Sequence, residues 1–419
     1  MRAGLIIYGE LTFWSGGYLY DRKLVEYLRS QGDEVKIISL PVRNYFMHVQ
    51  DNFNPALRDK LANLRVDVLL QDELAHPSLF ILNRYLKKTA KYPLVSIVHH
   101  LSWREKQPFL SAWGRRQIEQ WYLDSVDAVI CASQTTLQEV RQLGGDLKPS
   151  LVATPGGDAL KAPAEGRYSV SGGPAGGDTL QALPQGHHRA PAGDELQASA
   201  QAQHSARGGD PLNLSPQAHH YPRGADKPLE FLFVGQWIPR KGLHVLLEAL
   251  RSLTSYSWHL SLVGKTDVNP PYYRKVLHGI EALGLKDRVR VYGEVSDAEL
   301  TRLLALADVL VVPSQYEGFG IVYLEAMGFG VIPIAGGNGG GREIIQPGVN
   351  GFLVHSDSPG DLRYLLKELL ENPLVRETIK QGAKKRYKEF PTWRESMDSV
   401  RRFLLDILSR GSESPQRVV

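Results

Sequence analysis

Cysteine is almost absent from this chain. Cys131 is the only one in 419 residues, so no intramolecular disulfide can form, which fits a reducing compartment. It lies in the apolar run AVICAS and reads as a small core residue. No stretch of about 18 uncharged apolar residues is present, so nothing is expected to span a bilayer. The apolar run in MRAGLIIYGE is too short for a signal peptide, and a cytoplasmic protein is expected. Basic residues outnumber acidic ones only by 49 to 45 and form no long block. That excludes a basic arm for nucleic acid, while a diffuse excess still suits an anionic substrate or a membrane surface. No Gly-x-Gly-x-x-Gly follows the first apolar run, which argues against a dinucleotide-dependent oxidoreductase.

What is there is alternation. AGLIIYG is a short continuous apolar run, as in a strand buried on both faces. SGGYLYDRKLVEYLRSQGDEVKIISL then gives a glycine turn, an amphipathic helix with Leu24, Tyr27 and Leu28 inward, a stop at Gly32 and a second strand. Strands are predicted at 66–71, 93–100 and 128–133, with helical segments between them. The pattern resumes with a strand at 229–237, a helix at 241–254, and strands at 258–264, 289–293, 308–314, 331–336 and 351–354. Helices are predicted at 271–284, 296–306, from 320, and at 361–371, 374–389 and 393–409. The expected fold is therefore α/β, two doubly wound Rossmann-like halves facing across a cleft, with ligands at the carboxyl ends of both sheets.

Four segments follow. Residues 1–158 form a first Rossmann-like domain, on the acceptor side if a group is transferred. Residues 159–226 are rich in Ala, Gly, Pro, Gln and His with almost no apolar periodicity, and read as a disordered insertion. His187, His188, His204, His219 and His220 lie there without the spacing of a metal tract. Residues 227–390 form a second domain, and 391–419 a terminal helix with a tail.

The stretch VPSQYEGFGIVYLEAMGFG, Val312 to Gly330, carries the chemistry. Glu317 falls in a loop at the carboxyl edge of a strand, and Gly318 and Gly320 let backbone approach a ligand closely. A helix start near Gly320 leaves unpaired N–H groups that favour phosphate or sugar oxygens. Glu325, about a turn and a half further on, is placed to accept two hydrogen bonds from neighbouring hydroxyls such as those of a ribose. One acid on each side of a phosphate-binding end suits the two sugars of a nucleotide-sugar. Arg240 and Lys241 are basic residues at a helix start, the wrong end electrostatically unless an anion binds there.

The string PSQYEGFGIVYLEAMGFGVIPIAG resembles the signature of retaining glycosyltransferases of family 4, which have the two-domain GT-B fold. Their pattern is a Glu, seven residues, then a second Glu. The resemblance extends to FLFVGQWIPRKGLHVLLEAL, SLVGK, VYGEVSDAELTRLLALADVLVVPS and GGREIIQPGVNGFLV, and more weakly to SGGYLYDRKLVEYLRSQGDEVKII, SVDAVICASQTT and VATPGGD. It implies that Glu317 contacts the donor sugar hydroxyls, and that the backbone amides of Gly318, Phe319, Gly320 and Ile321 hold that sugar and the distal phosphate. Glu325 would bind the ribose and Lys241 the diphosphate. Where the family usually carries an Arg after the strand glycine, this chain has Gln236, and Arg240 would share that load. The loop of Gly16 and Gly17 would approach the donor phosphates, and His99 the donor sugar. Asp72, Glu73, His76 and His100 also follow strands; they face the acceptor or serve the fold.

The resemblance implies departure of a nucleoside diphosphate with retention of anomeric configuration. No Asp-x-Asp triplet, the metal-chelating signature of the other large glycosyltransferase fold, occurs in the chain, so neither metal nor other cofactor is expected. Expected partners are a nucleotide-sugar donor and a glycan, lipid-linked or small-molecule acceptor. Residues 102–123 mix Trp, Phe and Leu with Arg and Lys, which fits either an interfacial helix on anionic lipid or a helix packed on its own domain. Two other readings stay open, a non-catalytic nucleotide-sugar or glycan-binding protein and a GT-B sugar-nucleotide epimerase, although the latter lacks the spaced glutamates.

Overall fold

Two parallel sheets of six strands organise the molecule, seen in a computed structural model that describes residues 1–104, 109–144, 148–160 and 227–413. The first contains β1 (Arg2–Tyr8), β2 (Glu34–Leu40), β3 (Val68–Asp72), β4 (Leu94–Val98), β5 (Ala128–Cys131) and β6 (Ser150–Val152). Its spatial order is β2-β1-β3-β4-β5-β6. The second contains β7 (Leu229–Val234), β8 (Trp258–Val263), β9 (Val289–Gly293), β10 (Val309–Val312), β11 (Ile332–Gly336) and β12 (Phe352–Val354), in the order β12-β11-β10-β7-β8-β9. Both sheets lie in one compact unit. Nearly all of the 159–226 insertion, with its five histidines, lies outside the described residues.

The strands form because their apolar runs find cover on both faces. β4, LVSIV, is buried at every position, as a parallel strand between helical layers must be. Along β1 the faces alternate. Leu5 and Ile7 join the apolar cluster on one side of the sheet, and Ile6 and Tyr8 the cluster on the other. Each fully buried Leu or Ile contributes about 1.5–3 kcal/mol. Register is fixed by the same pattern, with Leu5 opposite Ile37 on one side and Leu70 on the other.

The helix Gly16–Ser30 starts where the Ser15 hydroxyl accepts the Tyr18 amide at 3.3 Å, and it buries Tyr20, Asp21, Leu24 and Leu28. The last helix, Trp393–Glu413, returns to the first half. There Arg401 meets Asp33 at 2.7 Å, Tyr27 donates to Asp398 at 2.7 Å, and Ser396 donates to the Thr154 carbonyl at 2.6 Å.

Two elements differ from the sequence-based expectation. The helix predicted at 241–254 begins at Leu243, and Pro239–Lys241 is a separate 3₁₀ turn. Gly242 causes the break: its φ is +73°, and a Cβ there would stand 2.4 Å from the Pro313 carbonyl oxygen. Arg240 and Lys241 therefore precede the helix rather than forming its first turn. β6 has only three half-buried residues, and so short an element carries little periodicity to read.

Candidate functional site at the carboxyl edges of the two sheets

Strand order determines where a crevice opens. In the second sheet the chain reverses direction between β7 and β10, and in the first between β1 and β3. Loops leaving adjacent strands at such a point part to opposite faces, so ligands bind outside those carboxyl ends. Pro239–Lys241 follows β7, and Ser314 to Gly320 follow β10. The loop carrying Gly16 and Gly17 follows β1, Asp72 ends β3, and His99 follows β4.

Lys241 and Glu317 come from the two loops of the second sheet's reversal. Lys241 Nζ lies 2.5 Å from Glu317 Oε1, with side chains 16% and 13% exposed. The Ser314 hydroxyl donates to the same oxygen at 2.6 Å. Arg240 Nη1 donates to the Tyr316 carbonyl at 2.6 Å, tying its turn to the loop beside it. Burial opposes the Glu317 charge, but Lys241, Arg240 and the hydrogen bonds outweigh it and hold the carboxyl below its ordinary pKa. Burial pulls the Lys241 pKa down more than Glu317 raises it.

The helix Ile321–Gly328 begins beside this pair. Gly320, its N-cap, has φ +92°, and no side chain caps the helix. The first-turn amides thus lack intrahelical partners. Gly318 makes the closest approach, since a Cβ on it would stand 2.0 Å from the His99 carbonyl oxygen. Phe319 is buried and packs edge-on to Phe390 at 6.0 Å, so only its backbone faces the loop's neighbours. Ile321 lies near the first half, with its Cδ1 3.6 Å from where a Gly16 Cβ would be.

Glu325 is 6% exposed. Among the described residues its carboxylate makes no hydrogen bond and no ion pair. Burial first, then the Asp297 charge, push its pKa up to about 7 against a smaller opposing pull from Lys23. A buried acid without donors is a costly arrangement unless something else supplies them.

In the first half, the structure places the remaining candidates in two buried groups. His99 Nε2 lies 3.1 Å from Asp21 Oδ1, with Asp72 beside them. Glu73 and His76 turn inward: His76 Nδ1 lies 2.9 Å from Glu73 Oε1 and its Nε2 3.1 Å from the Tyr45 hydroxyl. Glu119 joins them and accepts the amides of Ser102 and Trp103 at 2.7 and 3.2 Å, which fixes the loop after β4. Each trio has donor atoms close enough to bind a metal ion. His100 lies against the loop after β10, its ring 6.5 Å from that of Tyr316. Gln236 reaches across to the Trp14 carbonyl at 3.5 Å.

Several residues here had no role in the sequence reading. Ser133 donates to the Gly318 carbonyl at 2.9 Å, and Tyr316 donates to Glu139 at 2.6 Å. Glu343 accepts the amides of Gln134 and Thr135 at 3.0 and 2.6 Å, at the start of the helix Gln134–Gln142. These bonds join the two halves across the crevice. The only available signal for Glu343 was its place in GGREIIQPGVNGFLV, and Asp21 is one polar residue within an amphipathic helix.

Comparison with known proteins agrees with this fold. The family model for glycosyl transferases group 1 matches residues 219–386, and that for glycosyltransferase family 4 matches residues 18–156. An uncharacterized glycosyltransferase of Methanocaldococcus jannaschii is 31% identical over 171 residues, 41% of this chain and 46% of that protein. The match thus spans less than half the length of that relative. Among solved structures, sucrose-phosphate synthase from Thermosynechococcus elongatus superimposes with a TM-score of 0.74 at 18% identity, covering 98% of this chain and 99% of its own. Anabaena HepE, in complex with UDP and glucose, gives 0.69 at 17%, covering 97% and 100%. At such identities the likeness shows the GT-B fold.

Proposed function

From a chain that belongs to the group 1, family 4 glycosyltransferases, we propose that it transfers a sugar from a nucleoside-diphosphate sugar to an acceptor, with retention and without a metal. The observation that carries this reading is the buried Lys241–Glu317 pair beside an uncapped helix start, with the partnerless Glu325 five residues into that helix. Lys241 has three N–H donors, enough to hold Glu317 and a phosphate oxygen together. The amides at Gly320 and Ile321 add donors for the same diphosphate, and Arg240 lies in the adjoining turn. Glu325 gains from ribose hydroxyls the hydrogen bonds it otherwise lacks. Glu317 accepts from hydroxyls of the donor sugar, and His99 lies beside that sugar.

In the reaction, the bond from the anomeric carbon to the β-phosphate oxygen breaks. The acceptor oxygen forms its bond on the same face, and its proton passes to the departing phosphate. Negative charge grows on the diphosphate as positive charge grows on the sugar. Lys241, Arg240 and the helix end stabilise the first of these in a pocket low in water. The bonds from Ser133, Glu139 and Glu343 across the crevice support a closing motion that excludes water.

The acceptor is a glycan, a lipid-linked sugar or a small molecule. Trp113, 65% exposed, and Phe46, 79% exposed, support a peripheral contact with a lipid surface. Their helices meet where Arg115 stacks 4.3 Å over the Tyr45 ring. No helix among the described residues is long and apolar enough to cross a membrane.

The test is a thermal-shift screen across uridine, guanosine and adenosine diphosphate sugars, followed by turnover of the labelled hit. The preferred donor is expected to raise the melting temperature by mass action, and Glu325→Ala to abolish that rise while remaining folded. Binding of a donor with no turnover at all, not even slow hydrolysis, would mark a binding protein instead.

A further inference from the structure

The buried trio of Asp21, Asp72 and His99 is drawn from three elements that meet at the reversal point of the first sheet. Asp21 comes from the helix after β1, Asp72 ends β3, and His99 follows β4. Asp21 and Asp72 are 0% and 1% exposed, and His99 9%. The His99 ring is fixed on several sides. Tyr20 stands edge-on at 5.2 Å, and a Cβ on Gly17 would come within 3.0 Å of the ring. The His99 carbonyl abuts Gly318, so the ring is anchored beside the donor-side loop. Its Nε2 is taken by Asp21, and its Nδ1 makes no hydrogen bond among the described residues.

Two observations show that the trio is more than a packed ion pair. Asp21 Oδ2 and Asp72 Oδ2 are both buried with no hydrogen-bond partner. Asp72 has one other bond, accepting the Leu74 amide at 3.0 Å. Two carboxylates this close in a dry site do not both ionise beside a single imidazolium. One proton shared by the acid pair, with both ring nitrogens of His99 protonated, brings the three groups to neutrality.

We propose that Asp21 is a positioning residue for His99, and that Asp21, Asp72 and His99 act as one proton-sharing unit that commits Nε2–H to Asp21 and leaves Nδ1 for the donor sugar. The proposal rests on the transferase reading for its consequence, although not for its geometry. Burial and the Asp21 charge push the Asp72 pKa up to about 7. Burial lowers the His99 pKa, but Asp21 and Asp72 outweigh it, so the imidazolium is favoured. The other titratable groups facing Asp72 are Tyr8 on β1, Tyr18 on the first helix, and Tyr122 on the helix Phe109–Ser125. Burial keeps all three phenols protonated, leaving Asp21 and His99 as the charges that act on it. Below about pH 7 the unit is neutral. Above it, a second carboxylate ionises close to where the donor's diphosphate binds, and turnover is expected to fall.

The experiment uses the full chain with Asp21→Asn and Asp72→Asn. One readout is the ¹⁵N–¹H correlation of the His99 ring, assigned by difference from His99→Gln and recorded without donor. The other is kcat and KM for the nucleotide-sugar from pH 5.5 to 8.5. Wild type is expected to show a His99 Nε2–H that persists to high pH, and a fall in kcat centred near pH 7. Asp21→Asn is expected to lose the fixed Nε2–H signal and to cut kcat by about 100-fold, with KM little changed. Asp72→Asn is expected to keep Nε2–H on Asp21 but to erase the step near pH 7. Asp72→Asn tests the unit even where Asp21→Asn fails to fold. An unchanged His99 spectrum and unchanged kcat in Asp21→Asn would overturn the proposal. So would a rise in wild-type melting temperature with Mg²⁺ or Mn²⁺ that both variants abolish, since the trio would then be a cation site. Should no nucleotide-sugar bind the wild type, the transferase reading fails, and the donor-free spectrum still decides the tautomer.

Discussion

The two halves arrange their polar groups at the crevice in different ways. The second half displays charge in two short stretches, Gln236 to Lys241 and Ser314 to Glu325, and among the described residues it leaves the buried acid Glu325 without a partner. The first half gathers its acids and histidines into two buried groups, with His99 on Asp21 and His76 on Glu73. One half thus has a buried acid open to a ligand's hydrogen-bond donors, and the other holds His99 and His76 against acids while Asp21 Oδ2 and Asp72 Oδ2 stay unbonded among the described residues. The two sheets also differ in strand order, with one strand beyond β1 on its side of the first reversal and two beyond β7 on its side of the second.

The comparison breaks most sharply at Lys241. Lys241→Ala removes the cation proposed to meet the leaving group and takes the ion-pair partner from Glu317, which is buried. Turnover of nucleotide-sugar is expected to fall about 100- to 1000-fold, and stability to drop by about 3–5 kcal/mol in denaturant titration. Wild-type turnover in this variant would show that the second half's charges are structural.

Glu325 sharpens the contrast through pH. Its pKa rises from an ordinary 4.5 to about 7 in the folded chain. Between those values the folded state holds a proton that the unfolded state has released, so stability falls as pH rises across that window, by about 3 kcal/mol at full effect. Without donor, Glu325→Gln is expected to melt higher than wild type above pH 7 and equally near pH 4.5. Ribose hydroxyls prefer the ionised acid, so nucleoside diphosphate binding to wild type is expected to weaken as pH falls below 7, and the variant to bind weakly throughout. Melting curves that coincide at pH 8 would contradict this account of Glu325.

Much of this division is legible in the sequence for a physical reason. Parallel strands covered on both faces are continuous apolar runs, and glycines near a helix start mark a backbone that something approaches. Both signals are local, so the sheets and the Glu317–Glu325 stretch can be read along the chain. Asp21, Glu119 and Glu139 are acids on helices, and nothing local separates them from solvated ones such as Glu26 and Asp124. Only the fold brings Asp21 to His99 or Glu139 to Tyr316. The break at Gly242 was hidden for a similar reason, because the Pro313 carbonyl that demands it lies about 70 residues away in the chain.

Gly318→Ala probes where the halves touch. The new Cβ would stand 2.0 Å from the His99 carbonyl oxygen, which cannot swing aside as a flexible side chain would. A loss of about 1–3 kcal/mol is expected, together with faster amide exchange in the residues flanking Ser133. Wild-type stability and exchange would mean that the loop does not press on the first half. The smallest effect is expected at Glu343. Glu343→Ala removes the acceptor at one helix start and should cost about 0.5–1 kcal/mol, with faster exchange of the Thr135 amide as its signature. An unchanged exchange rate at Thr135 would remove Glu343 from the contact between the halves.

The most direct test of the central claim is a calorimetric titration of uridine, guanosine and adenosine diphosphates into wild type and Lys241→Gln, whose amide can still hydrogen-bond Glu317. One of the three is expected to bind wild type at a single site and the variant at least about tenfold more weakly. Equal affinity for the two proteins, or no binding of any nucleoside diphosphate to wild type, would contradict it.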